Sequence, residues 1–522
     1  MNATARHASV CLMIVGLCAG FAAGEVVVTV DKMFSDHMVL QRDMAVPVWG
    51  TAGAGEKVTV AFRDQTKQVE ADKDGKWVAR LDAMKVGEPG KLTVSGGTGP
   101  IIFDDVVVGE VWLGSGQSNM AGGAGGYVKN DPVLAAMVAG GPYPKLRLYN
   151  RNGWQQAEAG NINGFSALLF SFGLPLQKEL DVPVGLVVGA VGGTPSGRWL
   201  SPEMLADDEA CQALLTKAGI GSGDKASQQA AYDKALAEWE KAAELAKKEG
   251  KKAPAKPRGP FKAGDLYAAH VKPVVPYAIR GVLWDQGESG TAVAAIDQFT
   301  MMGALIKGWR KVWGQGDFPF LYIQKPSGGN SAWDVNDPVT CKAEKLAPQP
   351  ASPNAAGAGE YRELHIRIMG HPNTAMASAG DLGPGIHPTN KSGYGARACR
   401  VALGFVYGKQ VEYYGPIYDS HSVEGKAIRV KFTHAAGLAV PDGQKLQGFE
   451  IAGADGAYQW AEAKIEPSTG SGQAGDTVIV SSDKVPAPVN VRYGWAQSHP
   501  WANLFNSAHL PALTFRTDSP GK

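Results

Sequence analysis

The stretch Val111-Trp-Leu-Gly-Ser-Gly-Gln-Ser-Asn-Met120 joins the end of an apolar strand to a glycine-rich turn. Gly114 and Gly116 allow a sharp turn because glycine lacks the Cβ that forbids many backbone conformations. The turn is followed by Ser118, and parallel α/β sheets carry their functional sites at the carboxyl ends of strands. This order indicates a hydrolase nucleophile elbow, although the G-x-S-x-G spelling is absent. The same sequence is also compatible with a structural turn in which the serine only caps a helix. The interpretation of Ser118 as a nucleophile therefore depends on other segments.

Strands and helices alternate through the middle of the chain. Apolar runs predict strands at Val106–Leu113, Val184–Val188, Ile279–Trp284, Phe318–Ile323 and Ala375–Ala379. Helical patterns lie between or after them, at 165–180, 296–313 and 391–407. Such alternation predicts a parallel sheet covered on both faces. We therefore predict a three-layer, flavodoxin-like α/β core over residues 104–414, with a helical insertion around 204–262.

The flanking regions have a different pattern. Residues 25–103 and 415–522 contain short β-branched runs that Gly, Asp and Pro turns separate. Short strands at this spacing are typical of β-sandwiches. The sequence predicts an N-terminal and a C-terminal β-sandwich domain around the core.

Residues 1–24 have the pattern of a signal peptide. Arg6 and His7 precede an apolar run, Val10 to Ala19, and small residues follow it. The run is shorter than the 18–20 or so apolar residues of a membrane span. We expect a secreted or periplasmic protein with no membrane association after cleavage. Of its three remaining cysteines, Cys211, Cys341 and Cys399, at most two can form a disulfide.

The charge balance and the cysteine and histidine spacing argue against several classes of protein. Lys plus Arg number 51 against 50 Asp plus Glu, whereas a nucleic-acid-binding protein shows a basic surplus. No Cys/His spacing of the zinc type occurs. We expect no nucleic-acid partner, no metal and no cofactor.

Three loops that follow predicted strands carry groups suited to acyl transfer. They are Gly189-Ala-Val-Gly-Gly-Thr194, Asp285-Gln-Gly-Glu-Ser289 and the segment from Asp381 to Lys391. Loops at the carboxyl ends of parallel strands share one crevice. A serine nucleophile needs a base within hydrogen-bond reach, and His387 is the histidine in these loops. The N–H groups of Ser118 and Gly192 and the side-chain amide of Gln286 are the predicted oxyanion donors.

Several of these segments match a known family. Gly116-Gln-Ser-Asn-Met120, Trp284-Asp-Gln-Gly-Glu-Ser289 and His387-Pro-Thr-Asn-Lys391 resemble signature blocks of the sialate O-acetylesterase family, in the SGNH-hydrolase superfamily. Supporting matches occur in the same order at 33–41, 182–185, 192–194 and 275–281. The resemblance implies a secreted carbohydrate O-acetylesterase that uses Ser118 and His387 on an acetylated sugar. Gln117, Asn119 and Glu288 are expected to support the site.

The sequence departs from the family pattern at three places. Gly385 and Pro384 occupy positions before the histidine where an acidic residue is common. Asp285 replaces an aromatic residue, and Val191 stands where tryptophan is common. The third member of the catalytic triad therefore stays open. Asp381 is the first candidate and Glu288 the second, and a Ser-His dyad oriented by a backbone carbonyl is the third.

Two functions fit this sequence. One is an esterase that removes acetyl groups from sugars, and the other is an exported polysaccharide-binding protein with impaired catalysis. The sugar is also open. Sialic acid would favour a cationic contact such as Arg198 or Lys391, whereas a neutral polysaccharide would favour an aromatic such as Trp199.

Overall fold

The computed structural model describes residues 27–97, 99–218, 225–250, 253–254, 264–293, 295–353, 359–467 and 474–518. The predicted signal peptide, residues 1–24, and part of the predicted helical insertion lie outside these ranges. In the ranges described, no helix has both the length and the apolar character that crossing a membrane requires.

The described residues form a mixed α/β protein, which confirms the predicted class. The strands are β1 (Thr29–Val30), β2 (Val39–Gln41), β3 (Val46–Thr51), β4 (Lys57–Phe62), β5 (Gln65–Glu70), β6 (Lys76–Leu81), β7 (Gly90–Gly96), β8 (Gly99–Gly116), β9 (Tyr143–Tyr149), β10 (Trp154–Ala157), β11 (Val184–Ala190), β12 (Gly281–Asp285), β13 (Phe320–Ile323), β14 (Thr374–Ala377), β15 (Ile417–Glu424), β16 (Ala427–Thr433), β17 (Phe449–Ala452), β18 (Gln459–Trp460), β19 (Glu462–Pro467), β20 (Ala474–Ser481), β21 (Asn490–Tyr493) and β22 (Phe515–Arg516). The α-helices are α1 (Ser118–Ala121), α2 (Pro132–Ala139), α3 (Ala159–Ile162), α4 (Ala167–Leu180), α5 (Pro202–Ala206), α6 (Glu209–Lys217), α7 (Lys225–Lys248), α8 (Gln298–Trp313), α9 (Glu360–Arg367) and α10 (Lys391–Val401).

Parallel strands form the centre of the largest sheet, in the order β9-β11-β8-β12-β13-β14. The five predicted strands are among them. Numbered along the chain, those five lie in the order 2-1-3-4-5, which is the order of flavodoxin-like doubly wound sheets. Strand β9 was not predicted, because its sequence Tyr-Pro-Lys-Leu-Arg-Leu-Tyr mixes charged and apolar residues and includes a proline.

Helices cover both faces of this sheet. Consecutive side chains of a strand point to opposite faces, and Leu283 and Trp284 of β12 belong to different core clusters. Leu283 packs in the cluster that contains α4 and α10, and Trp284 in the cluster that contains α8. Helices α4 and α10 approach closely because Gly395 has no side chain, since a Cβ there would lie 2.3 Å from the Ser171 backbone.

The N-terminal β region is joined to the core by one continuous strand. The first part of β8 pairs antiparallel with β7, and its second part lies between β11 and β12 in parallel pairing. The predicted boundary at residues 103 and 104 therefore falls inside β8. The strands β1, β3 and β6 form a separate three-stranded sheet.

The C-terminal region contains two four-stranded sheets, β15-β16-β20-β19 and β18-β17-β21-β22. Their pairings are antiparallel. Apolar side chains from both sheets share one core cluster, which includes Val430, Val478, Phe449 and Val491. The short β-branched runs predicted as strands in this region include β16, β17, β20 and β21.

The insertion between β11 and β12 is helical where it is described. It contains α5, α6 and α7, and the predicted charged helix corresponds to α7.

Cys211, Cys341 and Cys399 are all free thiols. Burial raises the pKa of both the Cys211 and the Cys399 thiol to about 12, which makes these two unreactive at neutral pH.

Candidate active site

Ser118 lies on a turn that only glycine permits. Strand β8 ends at Gly116, whose φ is +126°, and a Cβ there would lie 2.1 Å from the Asp285 carbonyl oxygen. The next residue, Gln117, donates its backbone N–H to the same carbonyl at 2.8 Å. The ends of β8 and β12 therefore fix the turn. Ser118 follows as the first residue of α1, where a backbone N–H has no partner within the helix.

The structure brings Ser118 and His387 together. His387 Nε2 lies 2.8 Å from Ser118 Oγ, although the two residues are 269 positions apart. The histidine belongs to an exposed loop between β14 and α10. Gly383 and Gly385 in this loop have φ values of +115° and +83°, so the loop conformation depends on glycine. This arrangement gives the serine a base within hydrogen-bond reach.

The role of Asp381 in orienting His387 stays a prediction, and in this structure the Asp381 carboxylate has another partner. Its carboxylate is fully buried, and Oδ2 lies 2.8 Å from Nη2 of Arg397 on α10. Arg397 also donates to Ser378 Oγ at 2.9 Å. The side chain of Asp381 thus turns towards α10 rather than towards the histidine.

The second ring nitrogen of His387 has no hydrogen-bond acceptor among the residues that the structure describes. Glu288, the other acidic candidate, bonds elsewhere in the site. None of the three arrangements that the sequence left open is seen in full among the described residues, because Ser118 and His387 are paired but no group orients the imidazole. A backbone carbonyl behind the imidazole is not observed in the described part of the chain.

Gly192 lies directly beside Ser118. A Cβ on Gly192 would be 3.6 Å from the Ser118 Cβ. The loop is fixed at Val191, whose N–H donates to the Gly116 carbonyl at 3.0 Å, and at Thr194, whose hydroxyl donates to the Val191 carbonyl at 2.7 Å. Two backbone N–H groups suited to an oxyanion, those of Ser118 and Gly192, therefore belong to neighbouring fixed turns.

The role of Gln286 as a third oxyanion donor stays a prediction, and in this structure its side-chain amide is bonded within the protein. Its side chain is buried, and its amide nitrogen donates to the carbonyls of Gly290 at 2.9 Å and Thr194 at 3.3 Å. Its amide oxygen accepts from Gln298 Nε2 at 2.9 Å. Both amide hydrogens are thus used to connect the glycine loop to the loop after β12.

Beneath Ser118 lies a group of ionisable side chains that we call the buried charged layer: Asp285, Glu288, Lys325 and Lys391. Lys325 Nζ is 2.9 Å from Asp285 Oδ1 and 2.8 Å from Glu288 Oε1. Burial lowers the pKa of Lys325, but the two carboxylates outweigh it and the pKa lies above the ordinary value. Burial raises the pKa of Asp285, and Lys325 opposes that increase. Lys325 therefore compensates the aspartate that replaces the family's aromatic residue.

The layer is connected to both neighbours of Ser118. Glu288 accepts hydrogen bonds from the side-chain amides of Gln117 and, at 3.4 Å, Asn119. Asn119 Nδ2 also donates to the Ile386 carbonyl at 3.1 Å, next to His387 in the chain. Lys391 Nζ donates to Asn119 Oδ1 at 2.6 Å. Gln117, Asn119 and Glu288, predicted as supporting residues, thus form one network around the serine.

Two of the three predicted sugar contacts, Lys391 and Trp199, are fully buried. Lys391 is fully buried against the rings of Tyr127 and Tyr394, and burial lowers its pKa to about 7. Trp199 is also fully buried, and its indole N–H donates to Thr194 Oγ1 at 3.2 Å. Arg198 is paired with Asp265, its Nε lying 2.9 Å from Oδ1. Lys391 and Trp199 are thus buried inside the protein, whereas the Arg198–Asp265 pair is partly exposed.

Comparison with known proteins agrees with the motif resemblance. Residues 108–248 match the family model described as carbohydrate esterase, sialic acid-specific acetylesterase. Rat sialate O-acetylesterase is 27% identical over 535 residues, covering 92% of each chain. The crystal structure of a carbohydrate acetylesterase from Xanthomonas citri superposes with a TM-score of 0.71 at 29% identity, covering 94% of this chain and 100% of that one. The resemblance to the sialate O-acetylesterase family is confirmed.

Similarity to the sialate O-acetylesterases extends to the human protein, which is 26% identical over 430 residues. The match covers 73% of this chain and 72% of the human protein.

Lys325 is a residue of the site that was not predicted from the sequence, because the family motifs do not include it. Lys325 follows β13 by two residues, so it occupies the same post-strand position as the groups that were identified. Applying the post-strand rule to the fourth predicted strand would have found it.

Proposed function

We propose that this protein is a serine esterase that hydrolyses acetyl esters on carbohydrates. The observation that carries the proposal is the 2.8 Å contact between Ser118 Oγ and His387 Nε2. A hydroxyl becomes an effective nucleophile when a base within hydrogen-bond distance accepts its proton. The similarity to sialate O-acetylesterases and to a carbohydrate acetylesterase supports acetylated sugars as the substrate class.

In the first half of the proposed reaction, Ser118 Oγ attacks the acetyl carbonyl carbon while His387 Nε2 takes the hydroxyl proton. The carbonyl oxygen becomes negative and accepts hydrogen bonds from the N–H groups of Ser118 and Gly192. When the tetrahedral intermediate collapses, the bond to the sugar oxygen breaks and His387 returns the proton to that oxygen. The products are the free sugar hydroxyl and an acetyl ester on Ser118.

In the second half, water attacks the acetyl-serine and His387 accepts one of its protons. Collapse of the second intermediate releases acetate and returns the proton to Ser118 Oγ. The same histidine thus acts as a base and then as an acid in each half-reaction. No residue beyond Ser118 and His387 exchanges protons in this scheme.

We propose that Asn119 replaces the missing carboxylate as the group that fixes the histidine loop. Its amide holds the carbonyl of Ile386, the residue before His387, at 3.1 Å, and Lys391 holds Asn119 from below. This contact positions the loop that carries His387, but it supplies no negative charge to the imidazolium. A serine protease that loses its aspartate keeps about 10⁻⁴ of its kcat, because the histidine is no longer held in the correct state. A site without this carboxylate therefore requires another group that positions the histidine.

The competing function is an exported polysaccharide-binding protein with impaired catalysis. It is favoured by the absence of an acceptor behind His387 in the described part of the chain. A fluorophosphonate probe separates the two, because it labels only a serine whose proton a base removes. We expect labelling of the peptide that carries Ser118 and acetate release from p-nitrophenyl acetate. An unlabelled, folded protein with no acetate release supports the binding protein instead.

We also propose that residues 104–414 are an SGNH-hydrolase domain between two β-sandwich domains, and that residues 1–24 direct export. The helix and strand order of the core and the two antiparallel C-terminal sheets support the first part. N-terminal sequencing of the protein from the medium or periplasm tests the second part. A protein that retains Met1 would contradict export through a cleaved signal.

A further inference from the structure

A groove of about 620 Å³ opens beside the Ser118 site. One wall carries Glu288 and Ile386, which belong to the buried charged layer and the histidine loop. The opposite wall carries Gln497 and Ser498 from the C-terminal region. Its volume lies within the range of roughly 300–1,000 Å³ typical of ligand sites. The groove is therefore large enough for part of a sugar chain whose ester reaches Ser118.

The far wall is tied firmly to the core. Ser498 Oγ donates to the Gly329 carbonyl at 2.5 Å, and Arg362 donates to the Gln497 carbonyl at 2.7 Å. A Cβ on Gly329 would lie 2.3 Å from Ser498 Oγ, so the two segments touch without intervening side chains. The shape of the groove is set by the packed C-terminal segment and does not depend on a separate closing loop.

The charge of the groove is negative. Its ionisable lining side chains are Glu288 and Glu344, and no lysine or arginine is among the described lining residues. The nearby ammonium groups of Lys325 and Lys391 are fully buried and already bonded to Glu288 and Asn119. A ligand carboxylate in this groove meets like charge and finds no cationic partner.

The remaining lining suits a neutral sugar. Ile386 is 65% exposed, and the ring of Tyr361 adds a second apolar surface. Gln497 and Ser498 are exposed and provide amide and hydroxyl groups. Sugar rings combine apolar C–H faces with hydroxyl groups, and ligand sites pair apolar walls with a few placed polar groups. Tyr361 takes the aromatic role that the sequence analysis assigned to Trp199.

We propose that this groove binds an uncharged acetylated glycan and discriminates against sugars that carry a carboxylate, such as sialic acid. The inference rests on the proposed esterase function and adds the substrate class. Two like charges about 6–12 Å apart in a partly buried site change binding by roughly 10- to 100-fold at an effective dielectric of about 20. Discrimination of that size is measurable with matched substrates.

The direct test compares O-acetylated sialic acid with its carboxyl methyl ester, because the pair differs in a single charge. We expect kcat/KM for acetate release to be roughly 10- to 100-fold higher for the methyl ester. An acetylated neutral xylo-oligosaccharide should be hydrolysed at least as well as the methyl ester. The difference between acid and ester should shrink at high salt, since salt screens exposed charges.

Variants of Glu344 assign the effect to the groove. Glu344→Lys should raise kcat/KM for the free acid at least about tenfold relative to kcat/KM for its methyl ester. Glu344→Gln should give an intermediate increase. Glu238→Lys, the same charge change at an exposed position on α7, is the matched control and should change neither substrate.

The outcomes separate the two proposals. A protein that hydrolyses p-nitrophenyl acetate but prefers the free acid to its methyl ester overturns the neutral-glycan inference and leaves the esterase intact. Equal rates for acid and ester, unaffected by Glu344→Lys, overturn it as well. Failure of every acetyl ester together with failure of fluorophosphonate labelling contradicts the esterase function itself.

Discussion

The two sides of Ser118 are built in opposite ways. Below it, the members of the buried charged layer are bonded to one another and to their surroundings, and Lys325 contacts Asp285, Glu288 and Ser327. Above it, His387 is exposed and its one hydrogen bond within the described residues is to Ser118. The layer contributes to stability, whereas the reacting pair contributes little. Substitutions on the two sides should therefore separate activity from stability.

The largest expected effect is on the reacting side. Ser118→Ala should lower kcat by about 10⁶-fold, the loss seen when a serine hydrolase loses its nucleophile. The melting temperature should stay within a few degrees, because the half-buried hydroxyl has His387 as its one side-chain partner. Steady-state kinetics and calorimetry on the same preparation measure both. Retention of a tenth of the wild-type rate would exclude Ser118 as the nucleophile.

The opposite pattern is expected for the layer. Lys325→Met leaves Asp285 buried without its counter-charge, and breaking a buried ion pair in this way costs about 3–5 kcal/mol in unfolding free energy. The double variant Asp285→Leu/Lys325→Met is the control, since removing both charges should recover most of that loss. Urea unfolding measures each. If Lys325→Met alone lowers the unfolding free energy by less than about 1 kcal/mol, the Asp285–Lys325 pair is not a stabilising element.

Glu288 lies on the border between the two sides and should affect kinetics more than stability. Glu288→Gln removes the acceptor that holds Gln117 and Asn119 on either side of Ser118. Misplacement of a reacting group by about 1 Å costs on the order of 10²-fold in rate. We expect a loss of that order in kcat, with KM for p-nitrophenyl acetate nearly unchanged. A wild-type kcat would remove Glu288 from the positioning network.

Buried His365, which contacts the Lys325 backbone, should make stability depend on pH. Burial, with Lys325 and Arg362 nearby, lowers the pKa of His365 to about 3 from an ordinary value of 6.5. Between pH 6.5 and pH 3, His365 is protonated in the unfolded chain but not in the folded protein. The unfolding free energy therefore falls as the pH decreases from 6.5 towards 3. The slope from this residue approaches about 1.4 kcal/mol per pH unit.

His365→Gln tests that assignment, because a glutamine oxygen can still accept the Lys325 backbone N–H that His365 Nδ1 accepts at 3.2 Å. Denaturant unfolding at pH 7, 6 and 5 should show a shallower loss of stability in the variant. Buried His499, whose pKa also lies well below the ordinary value, should maintain part of the slope. An unchanged slope would assign the acid sensitivity to other groups.

The smallest effect on turnover is expected at Asp381. Because its carboxylate pairs with Arg397 and not with His387, Asp381→Asn should change kcat per folded molecule by less than about fivefold. A triad aspartate would instead cost about 10⁴-fold. Active-site titration with the fluorophosphonate probe normalises for misfolded protein. A loss of 10²-fold or more would mean that the loop rearranges when substrate binds.

Much of the core was predictable because its signals are local. The five predicted parallel strands are short apolar runs, and the helix α10 begins after Asn390, whose side chain accepts from the Gly393 N–H as a cap should. The meeting of Ser118 with His387 followed from the rule that loops after parallel strands share one crevice. Strand β9, which lies between β10 and β11, carries the charged residues Lys145 and Arg147, and its sequence pattern resembles a loop.

Side-chain partners were not predictable in the same way. Asp381 and Gln286 lie in the expected loops, but each turns towards a neighbour that the chain order does not reveal, Arg397 and Gly290. Residue type gives the hydrogen-bonding capacity of a side chain, whereas the direction depends on the packed backbone. The same limit explains why a buried lysine opposite Asp285 was missed.

Strand β8 has a mechanical consequence. It runs without interruption for 18 residues, from a hairpin with β7 to the glycine that carries the Ser118 turn. A pulling force applied at the N-terminal β region therefore travels along one hydrogen-bonded ribbon to the catalytic turn, with no linker in between to absorb it. Fusing a tag or surface anchor to that end couples the tether directly to Ser118, while an attachment at the C-terminal end leaves β8 unloaded.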